Sequence, residues 1–344
     1  MAVDSPQVND GRCTFADWIE LLALTTGRGV GSRADIVRLL AKQSDTGHGT
    51  EPDPTSGEPL ETEIIEGAAS TLADNVADEL DFRARTLGLP YPFALRIRTE
   101  TWTLELNADA LRAPAGRVYV FCLLVSALRD GRLASGPITE AAAEDFARLF
   151  QDIAFRAATQ LMGNGGLSFG SPRPDGSKFL DAIRQFTDAY GIGEPRGTHL
   201  PSSSRKEKDE GIDVIAWRSF ADGRPGQVLL LGQVASGNDW VNKPVLSAVG
   251  RFLDWFVTRP AQFFVPAIFI PFVQHHRFEP VIAEPYEPAV RDYCRRTEIT
   301  YGLVVDRLRI VELFAAGHQS FTADGLQSID SWNATALDQA RKAA

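Results

Sequence analysis

Two short apolar runs joined by one tight turn constrain the fold of this chain more than any other feature. Ile212–Trp217 and Gln227–Ser236 are apolar over most of their length, and Asp222-Gly223 supplies the turn between them. Runs of this length bounded by turn residues are typical of strands. The pattern therefore predicts a strand hairpin in the second half of the chain.

The segments around this hairpin alternate between helical and strand patterns. Apolar spacing predicts helices at about 177–190, 244–257 and 288–296. An apolar strand is predicted at 265–273, and one or two further strands at 301–314. This order predicts an α/β sandwich built around a mixed β-sheet.

The first half has a different character, so the chain divides into regions. Residues 1–162 are predicted to form a mostly helical recognition or assembly domain with a short β-hairpin near 93–106. The Gly/Pro-rich stretch 163–176 reads as a linker. The α/β domain then covers 177–320, and 321–344 is predicted to be a helical tail. The fold class is α/β within the second domain and α+β overall.

Composition excludes several classes of protein. With 344 residues and 44% hydrophobic residues, the chain can bury a core. Its net charge of −10 argues against a dedicated nucleic-acid coat or a polybasic membrane binder, although only −1 of it (20 basic against 21 acidic residues) lies in 160–344. The apolar runs are too short to cross a membrane, the start lacks a signal-peptide pattern, and the three cysteines suggest no disulfide framework or zinc site. A cytoplasmic protein is expected.

The chemistry-bearing residues lie on the predicted hairpin. Asp213 opens its first strand, and Gln233 lies near the end of the second. Adjacent antiparallel strands place such residues side by side at one end of a sheet. Carboxylate and amide oxygens suit a hard divalent cation such as Mg²⁺, which can activate water and stabilise charge on a phosphodiester.

This arrangement resembles the PD-(D/E)xK, or restriction endonuclease-like, nuclease superfamily, and within it the Mrr-like branch that carries glutamine in the second motif. The resemblance covers about 177–314 and includes an initial helix, the motif hairpin, a crossover helix and a further strand. It implies a restriction-endonuclease-like mixed sheet flanked by helices, with Asp213 and Gln233 as ligands of Mg²⁺ or Mn²⁺. An acid on the initial helix, Asp181 or Asp188, would complete the site.

The sequence departs from this family at the catalytic lysine. The lysine belongs two residues after the glutamine, where this chain has Ala235. Lys243, just before the following helix, is the candidate for supplying the ammonium group from a shifted position, and Lys206 and Lys208 are weaker candidates. Such a group offsets charge in the transition state.

The resemblance implies a Mg²⁺-dependent nuclease that hydrolyses phosphodiester bonds of nucleic acid, with DNA favoured, in restriction or anti-phage defence beside a partner protein. Ala235 supports an alternative, in which an inactive nuclease fold serves as a scaffold or sensor of a defence complex. A helical-plus-α/β protein unrelated to nucleases is the third possibility.

Nucleic-acid contacts are predicted for four residues. Lys206, Lys208 and Arg251 are candidates for contacts with the backbone, and Trp240 for stacking on a base. Trp240 can equally be a packing residue. Asp213 can be a strand-end acid that accepts turn amides, and Gln233 a buried amide that binds the backbone. His275-His276 is interpreted as a pair of surface imidazoles.

Overall fold

The computed structural model describes most of the chain. The described residues are 4–7, 10–47, 60–99, 101–133, 140–163, 165–198, 200, 208–243, 245–276, 286–317 and 322–342. They form an α/β protein with helices flanking mixed sheets, which confirms the predicted fold class.

A helix overlaps each of the three segments predicted at about 177–190, 244–257 and 288–296. The helices are α1 (Arg12–Thr25), α2 (Arg33–Gly47), α3 (Leu60–Leu87), α4 (Ala108–Arg112), α5 (Pro114–Arg129), α6 (Glu140–Met162), α7 (Phe179–Tyr190), α8 (Val245–Leu253), α9 (Tyr286–Tyr301), α10 (Arg307–Ala316) and α11 (Ala323–Lys342), with a 3₁₀ turn, η1, at Trp240–Asn242.

The strands are short. They are β1 (Val30–Ser32), β2 (Phe93–Arg98), β3 (Thr101–Leu106), β4 (Gly165–Ser168), β5 (Glu194–Pro195), β6 (Val214–Arg218), β7 (Val228–Val234), β8 (Phe256–Thr258), β9 (Val265–Phe269) and β10 (Leu303–Val305).

The chain divides into two compact units. Unit 1 comprises Met1–Pro137, His275–Ala283 and Ile329–Ala344, and unit 2 comprises Ile138–Gln274 and Glu284–Ser328. Unit 1 is mostly helical and has a sheet of order β1-β3-β2, in which β2 and β3 form the hairpin expected near 93–106. The last part of α11 belongs to unit 1, where Trp332 packs against Phe121 on α5.

Unit 2 is built on a mixed sheet of order β10-β9-β7-β6-β4. β6 pairs antiparallel with both β4 and β7, while β9 runs parallel to both β7 and β10. The predicted hairpin is thus the β6–β7 pair, in which Val214 lies opposite Gly232. The crossover from β7 to the parallel strand β9 passes through α8, as parallel strands require a long connection.

Helices α7 and α8 cover one part of this sheet. Their buried aromatic and aliphatic side chains form a cluster with alternate residues of β6 and β7, including Phe186, Phe252, Ile215 and Leu231. On α6, Phe155 and Thr159 lie so close to Gly166 of β4 that a Cβ there would come within 3.0 Å of both side chains. The apolar stripe of α6 therefore packs against the sheet of unit 2.

This packing corrects the predicted domain boundaries. The stretch 163–176 is not a simple linker, because Gly165–Ser168 form the edge strand β4 paired with β6. Glycines at 165 and 166 suggested a break, but the strand uses them where Trp217 and α6 approach the backbone closely. Unit 2 accordingly begins at 138 rather than at 177, and includes α6.

The predicted strand region 301–314 is also corrected. Only Leu303–Val305 is a strand, and α10 begins at Arg307. The carboxylate of Asp306 caps this helix by accepting a hydrogen bond from the amide of Arg309 at 3.1 Å. The Asp306 cap outweighs the strand-like apolar pattern that follows it.

Candidate functional site

Asp213 lies at the point where three strands of unit 2 meet. Its carbonyl oxygen accepts hydrogen bonds from the amides of Phe169 (2.7 Å) and Gly170 (2.8 Å), just after β4. Its own amide donates to the carbonyl oxygen of Gly232 on β7 at 2.9 Å. The backbone at the entrance to β6 is therefore bonded on both sides.

The two oxygens of the Asp213 carboxylate have different surroundings. Oδ2 accepts a hydrogen bond of 2.8 Å from the amide of Val234. Oδ1 faces Gly170, where a Cβ would lie only 2.7 Å from it. No described residue donates a hydrogen bond to Oδ1. One carboxylate oxygen is thus fixed by the sheet, and the other is presented to the space beside Gly170.

Gln151 of α6 borders the same space. Its Nε2 donates to Oγ of Ser168 at 3.1 Å and to the carbonyl oxygen of Gly170 at 3.3 Å. A Cβ at Gly170 would lie 2.8 Å from this Nε2. The absence of a side chain at position 170 thus allows the Gln151 amide and the Asp213 carboxylate to approach the same point beside the backbone.

Burial raises the pKa of Asp213 to about 7. The hydrogen bond from Val234 lowers this pKa, the negative charge of Asp209 raises it, and the positive charge of Lys243 lowers it. A carboxyl group with this pKa changes its charge near neutral pH, a property typical of functional sites.

A tight turn leads into Asp213. The amide of Ile212 donates to the carbonyl oxygen of Asp209 at 3.0 Å, and the two central residues, Glu210 (φ 54°) and Gly211 (φ 79°), are both left-handed. This is the geometry of a type I′ turn, which disfavours a residue such as glutamate at its first central position. The turn therefore depends on contacts that hold Glu210 in place.

The side chain of Glu210 makes those contacts. Its Oε1 accepts a hydrogen bond of 2.9 Å from Nε1 of Trp255, and its Oε2 lies 3.4 Å from Nε of Arg251. Asp209 is also held, because it accepts hydrogen bonds from the amides of Gly211 (2.9 Å) and Ser171 (3.3 Å). These acids thus have structural partners within the turn and its surroundings.

Gln233 follows Gly232 on β7, and the carbonyl oxygen of Gly232 accepts the hydrogen bond from the amide of Asp213. Its side chain is only 6% exposed. Its Nε2 lies near Gly211, where a Cβ would come within 2.9 Å. Its Oε1 is buried and has no hydrogen-bond partner among the described residues. A buried amide oxygen without a donor is uncommon in proteins and calls for an explanation.

The position expected for the catalytic lysine lies inside an apolar cluster. Ala235 is 2% exposed and packs with Trp240, Val245, Ile268 and Ile270. A lysine at 235 would place its ammonium group in this cluster, at a high desolvation cost. The alanine is therefore explained by the local packing.

Lys243 is the cationic residue whose charge acts on Asp213. It lies in the two-residue connection between η1 and α8 and is partly buried. Its backbone amide donates to the carbonyl oxygen of Trp240 at 3.0 Å, which fixes the start of its side chain. The shifted position predicted for the ammonium group is therefore electrostatically coupled to the predicted metal ligand.

The two acids predicted to complete the site from the initial helix, Asp181 and Asp188, point away from it. Asp181 lies on the exposed side of α7 and pairs with Arg184 at 2.8 Å, with 54% of its side chain exposed. Asp188 is exposed on the same helix. The buried stripe of α7, which includes Phe179, Ile183 and Phe186, points these acids away from the sheet. The prediction of Asp181 as a metal ligand is therefore wrong.

The structure excludes one of the predicted nucleic-acid contacts and leaves two others accessible. Trp240 is fully buried and packs against Tyr301 at 5.2 Å between ring centroids, so it cannot stack on a base. Arg251 is half-exposed and pairs with Glu210. Lys208 is exposed, and its carbonyl oxygen accepts a hydrogen bond from Nη2 of Arg173. Lys206 lies outside the described residues.

Sequence reasoning missed three residues beside the site. Gln151 was assigned to another domain, and Gly170 to a linker. Arg173 is buried over the ring of Phe169 at 4.7 Å, and burial lowers its pKa while the charges of Asp209 and Asp175 raise it. The glycine-rich composition around 170 was the only signal in the sequence. Neither Gln151 nor Arg173 lies in a recognisable motif.

Comparison of the chain with protein-family models, curated proteins and solved structures finds no match. In the described part of the chain, no helix combines the length and the apolar character needed to cross a membrane.

Proposed function

We propose that unit 2 is a metal-dependent nuclease of the PD-(D/E)xK type, which hydrolyses phosphodiester bonds of nucleic acid, with DNA favoured. One observation carries the proposal. Asp213 and Gln233 lie next to the paired residues Val214 and Gly232, and each has a side-chain oxygen that receives no hydrogen bond from a described residue. Two such oxygens at the end of a sheet are what a metal ion would use.

The donor set fits Mg²⁺ or Mn²⁺. Both ions favour oxygen ligands, and Mg²⁺ is commonly held by one or two protein oxygens with several waters retained. Oδ1 of Asp213 and Oε1 of Gln233 would be the protein ligands. When bound, the ion supplies positive charge that activates water and stabilises the charge on the phosphodiester.

The residues around Asp213 would orient and balance this centre. The Val234 amide holds the carboxylate so that Oδ1 remains available. Lys243 provides the positive charge that the family obtains from a lysine two residues after the second motif residue, and it would offset charge on the phosphate in the transition state. Lys208 and Arg251 are the described residues that remain candidates for backbone contacts. The resemblance places such an enzyme in restriction or anti-phage defence, together with a partner protein.

Cleavage of plasmid DNA and of single-stranded RNA with Mg²⁺ or Mn²⁺ tests the proposal. We expect the wild type to cut DNA only with metal, and Asp213→Ala and Lys243→Ala to lose the activity. Asp222→Asn, in the exposed turn of the same hairpin, serves as the control and should cut as the wild type does. Loss in Asp213→Ala alone would refute the role of Lys243, and preferential cutting of RNA would change the substrate.

A second candidate function is an inactive nuclease fold that acts as a scaffold or sensor in a defence complex. The burial of Ala235 among apolar residues supports it, because that position cannot hold the usual lysine. Absence of cleavage of both substrates by folded wild-type protein would favour this function. Metal-dependent cutting that needs Asp213 would exclude it.

A further inference from the structure

Three side chains with metal-binding atoms meet inside unit 1, apart from the proposed nuclease centre. Cys13 lies on α1, Glu79 on α3, and His275 in the segment that follows β9. Their exposed fractions are 1%, 0% and 2%. One ligand atom from each lies within 4.8 Å of the other two. His275 is therefore not the surface imidazole that its sequence context suggested.

The separations suit a tetrahedral ion after a small adjustment. Zinc bonds of about 2.3 Å to sulfur and about 2.0–2.2 Å to nitrogen or oxygen place neighbouring ligand atoms roughly 3.3–3.6 Å apart. Nε2 of His275 lies 3.0 Å from Oε2 of Glu79, slightly closer than this. The thiol needs to approach by no more than about 1.5 Å, within the range of a side-chain rotation.

The Glu79 carboxylate is oriented by its other oxygen. Oε1 pairs with Nε of Arg83 at 2.7 Å, so Oε2 is directed at His275. Nη2 of the same arginine donates to the carbonyl oxygen of Cys13 at 3.3 Å. Arg83 thus positions two of the three residues. Outer hydrogen bonds of this kind are typical of metal centres, where they orient the ligands.

The charge of Arg83 is shared among several acids. Besides Glu79, its guanidinium pairs with Asp17 at 2.6 Å and with Glu20 at 3.1 Å. The hydroxyls of Tyr91 and Tyr119 both donate to Oε1 of Glu20, at 2.6 and 2.7 Å. The same buried guanidinium therefore contacts three carboxylates. Because an ionised carboxylate is costly to bury, a further cation on the Oε2 side of Glu79 is favourable.

We propose that Cys13, Glu79 and His275 bind a zinc ion that links α1, α3 and the segment after β9. A thiolate, an imidazole and a carboxylate are ligands that zinc accepts together, whereas Mg²⁺ selects oxygen. The ring of Phe82 packs edge-on against His275 with 5.7 Å between centroids and limits its rotation. The inference does not depend on the proposed nuclease.

Metal binding by the full-length protein tests this proposal. The protein is stripped with a chelator, incubated with Zn²⁺ or Co²⁺, and freed of unbound metal before its metal content is measured. We expect about one ion per chain, and a thiolate-to-metal charge-transfer band in the Co²⁺ form. Circular dichroism establishes that each sample is folded. The wild-type cobalt spectrum is informative even if a variant fails to fold.

The variants assign the ligands. Cys13→Ala should lose the charge-transfer band, and His275→Ala should lose at least nine-tenths of the bound zinc. Cys294→Ala removes a thiol in unit 2 and should retain both signals, as should Asp213→Ala, which separates this site from the nuclease centre. Folded wild-type protein that retains no metal would overturn the proposal. In that case the contact between His275 and Glu79 would be a hydrogen bond without a metal ion. Unchanged metal binding by Cys13→Ala would also overturn it.

Discussion

The backbone amide of Val234 donates a 2.8 Å hydrogen bond to Oδ2 of Asp213, across the two central strands of the unit 2 hairpin. This bond fixes the rotation of the carboxylate and turns Oδ1 toward Gly170. The charge of Asp213 and the position of its carboxylate can therefore be changed in separate variants.

Asp213→Asn is expected to stabilise the protein at alkaline pH. Burial raises the pKa of Asp213 from its ordinary value of 3.8 to about 7, so the folded state holds this proton more tightly than the unfolded state does. The stability due to this proton is complete below about pH 4 and is lost as the pH rises to about 7. The shift amounts to about 4 kcal/mol in the free energy of unfolding.

Urea unfolding between pH 4 and pH 8 measures this effect. We expect the asparagine variant to lose less stability than the wild type over this interval, and to lose cleavage activity. Asp188→Asn, which replaces an exposed acid on α7, is the control and should follow the wild-type curve. Parallel curves for Asp213→Asn and wild type would show that Asp213 is not buried in the way described.

Metal-dependent cleavage is expected to increase tenfold per pH unit below about pH 7 and to level off above it. A ligand carboxyl must be ionised, and the pKa of Asp213 is raised to about 7 in the absence of metal. The cleavage rate at fixed Mg²⁺ tests this. Because the ion competes with the proton, a higher Mg²⁺ concentration should move the midpoint to lower pH. A rate that is constant from pH 5.5 to pH 8.5 would contradict a ligand role for Asp213.

Gly170→Ala is expected to reduce cleavage at least tenfold while costing only about 1–3 kcal/mol of stability. The new Cβ would lie 2.7 Å from Oδ1 of Asp213 and 2.8 Å from Nε2 of Gln151, so both side chains must move. Side chains can yield without unfolding the sheet, but the carboxylate leaves its position. Steady-state cleavage rates and urea unfolding measure the two effects.

Gly250→Ala is the matched control, since a Cβ at this position of α8 meets nothing within 4 Å. It should retain activity and gain up to about 1 kcal/mol from helix propensity. Equal activity of the two alanine variants would show that the position of the Asp213 carboxylate does not limit the reaction.

Ala235→Lys is expected to destabilise the protein by several kcal/mol and not to replace the activity lost in Lys243→Ala. Position 235 lies in the apolar cluster with Ile268 and Ile270, where an ammonium group has no compensating partner in the described structure. The melting temperatures of the single variant and the cleavage rates of the double variant test this. Val228→Lys, at a 40% exposed position at the start of β7, is the stability control.

Full activity in the double variant would mean that the lysine at 235 reaches the site after all. Position 235 would then be buried only in the protein that carries alanine there.

Much of the secondary structure could be predicted from the sequence because its signals are local. The β6–β7 hairpin and the helix bearing Phe179, Ile183 and Phe186 depend on apolar spacing between residues close together in the chain. The existence of β4 and its position at the edge of the sheet could not be predicted. Its pairing with β6 joins residues far apart in the chain, and its glycines resemble those of a linker.

The candidate site was predictable only in part for the same reason. Asp213 and Gln233 flank the pair Val214 and Gly232 of one hairpin, so their place in the fold follows from a local register. Gln151 and Gly170 come from segments that only the tertiary fold brings to Asp213. Trp240 was misassigned because a tryptophan among polar neighbours looks exposed in the sequence, whereas η1 turns its ring into the core.

The separation between β4 and β6 along the chain has a consequence for the order of folding. The amides of Phe169 and Gly170 reach the carbonyl of Asp213 only after the whole segment containing α7 has been closed into a loop. Closing a long loop costs entropy before its contacts are gained, so local hairpins form earlier. We therefore expect Asp213 to be more solvated in a chain whose β6–β7 hairpin has formed but whose β4 has not yet paired with β6. Pairing of this edge strand would then add to the burial that raises the pKa of Asp213.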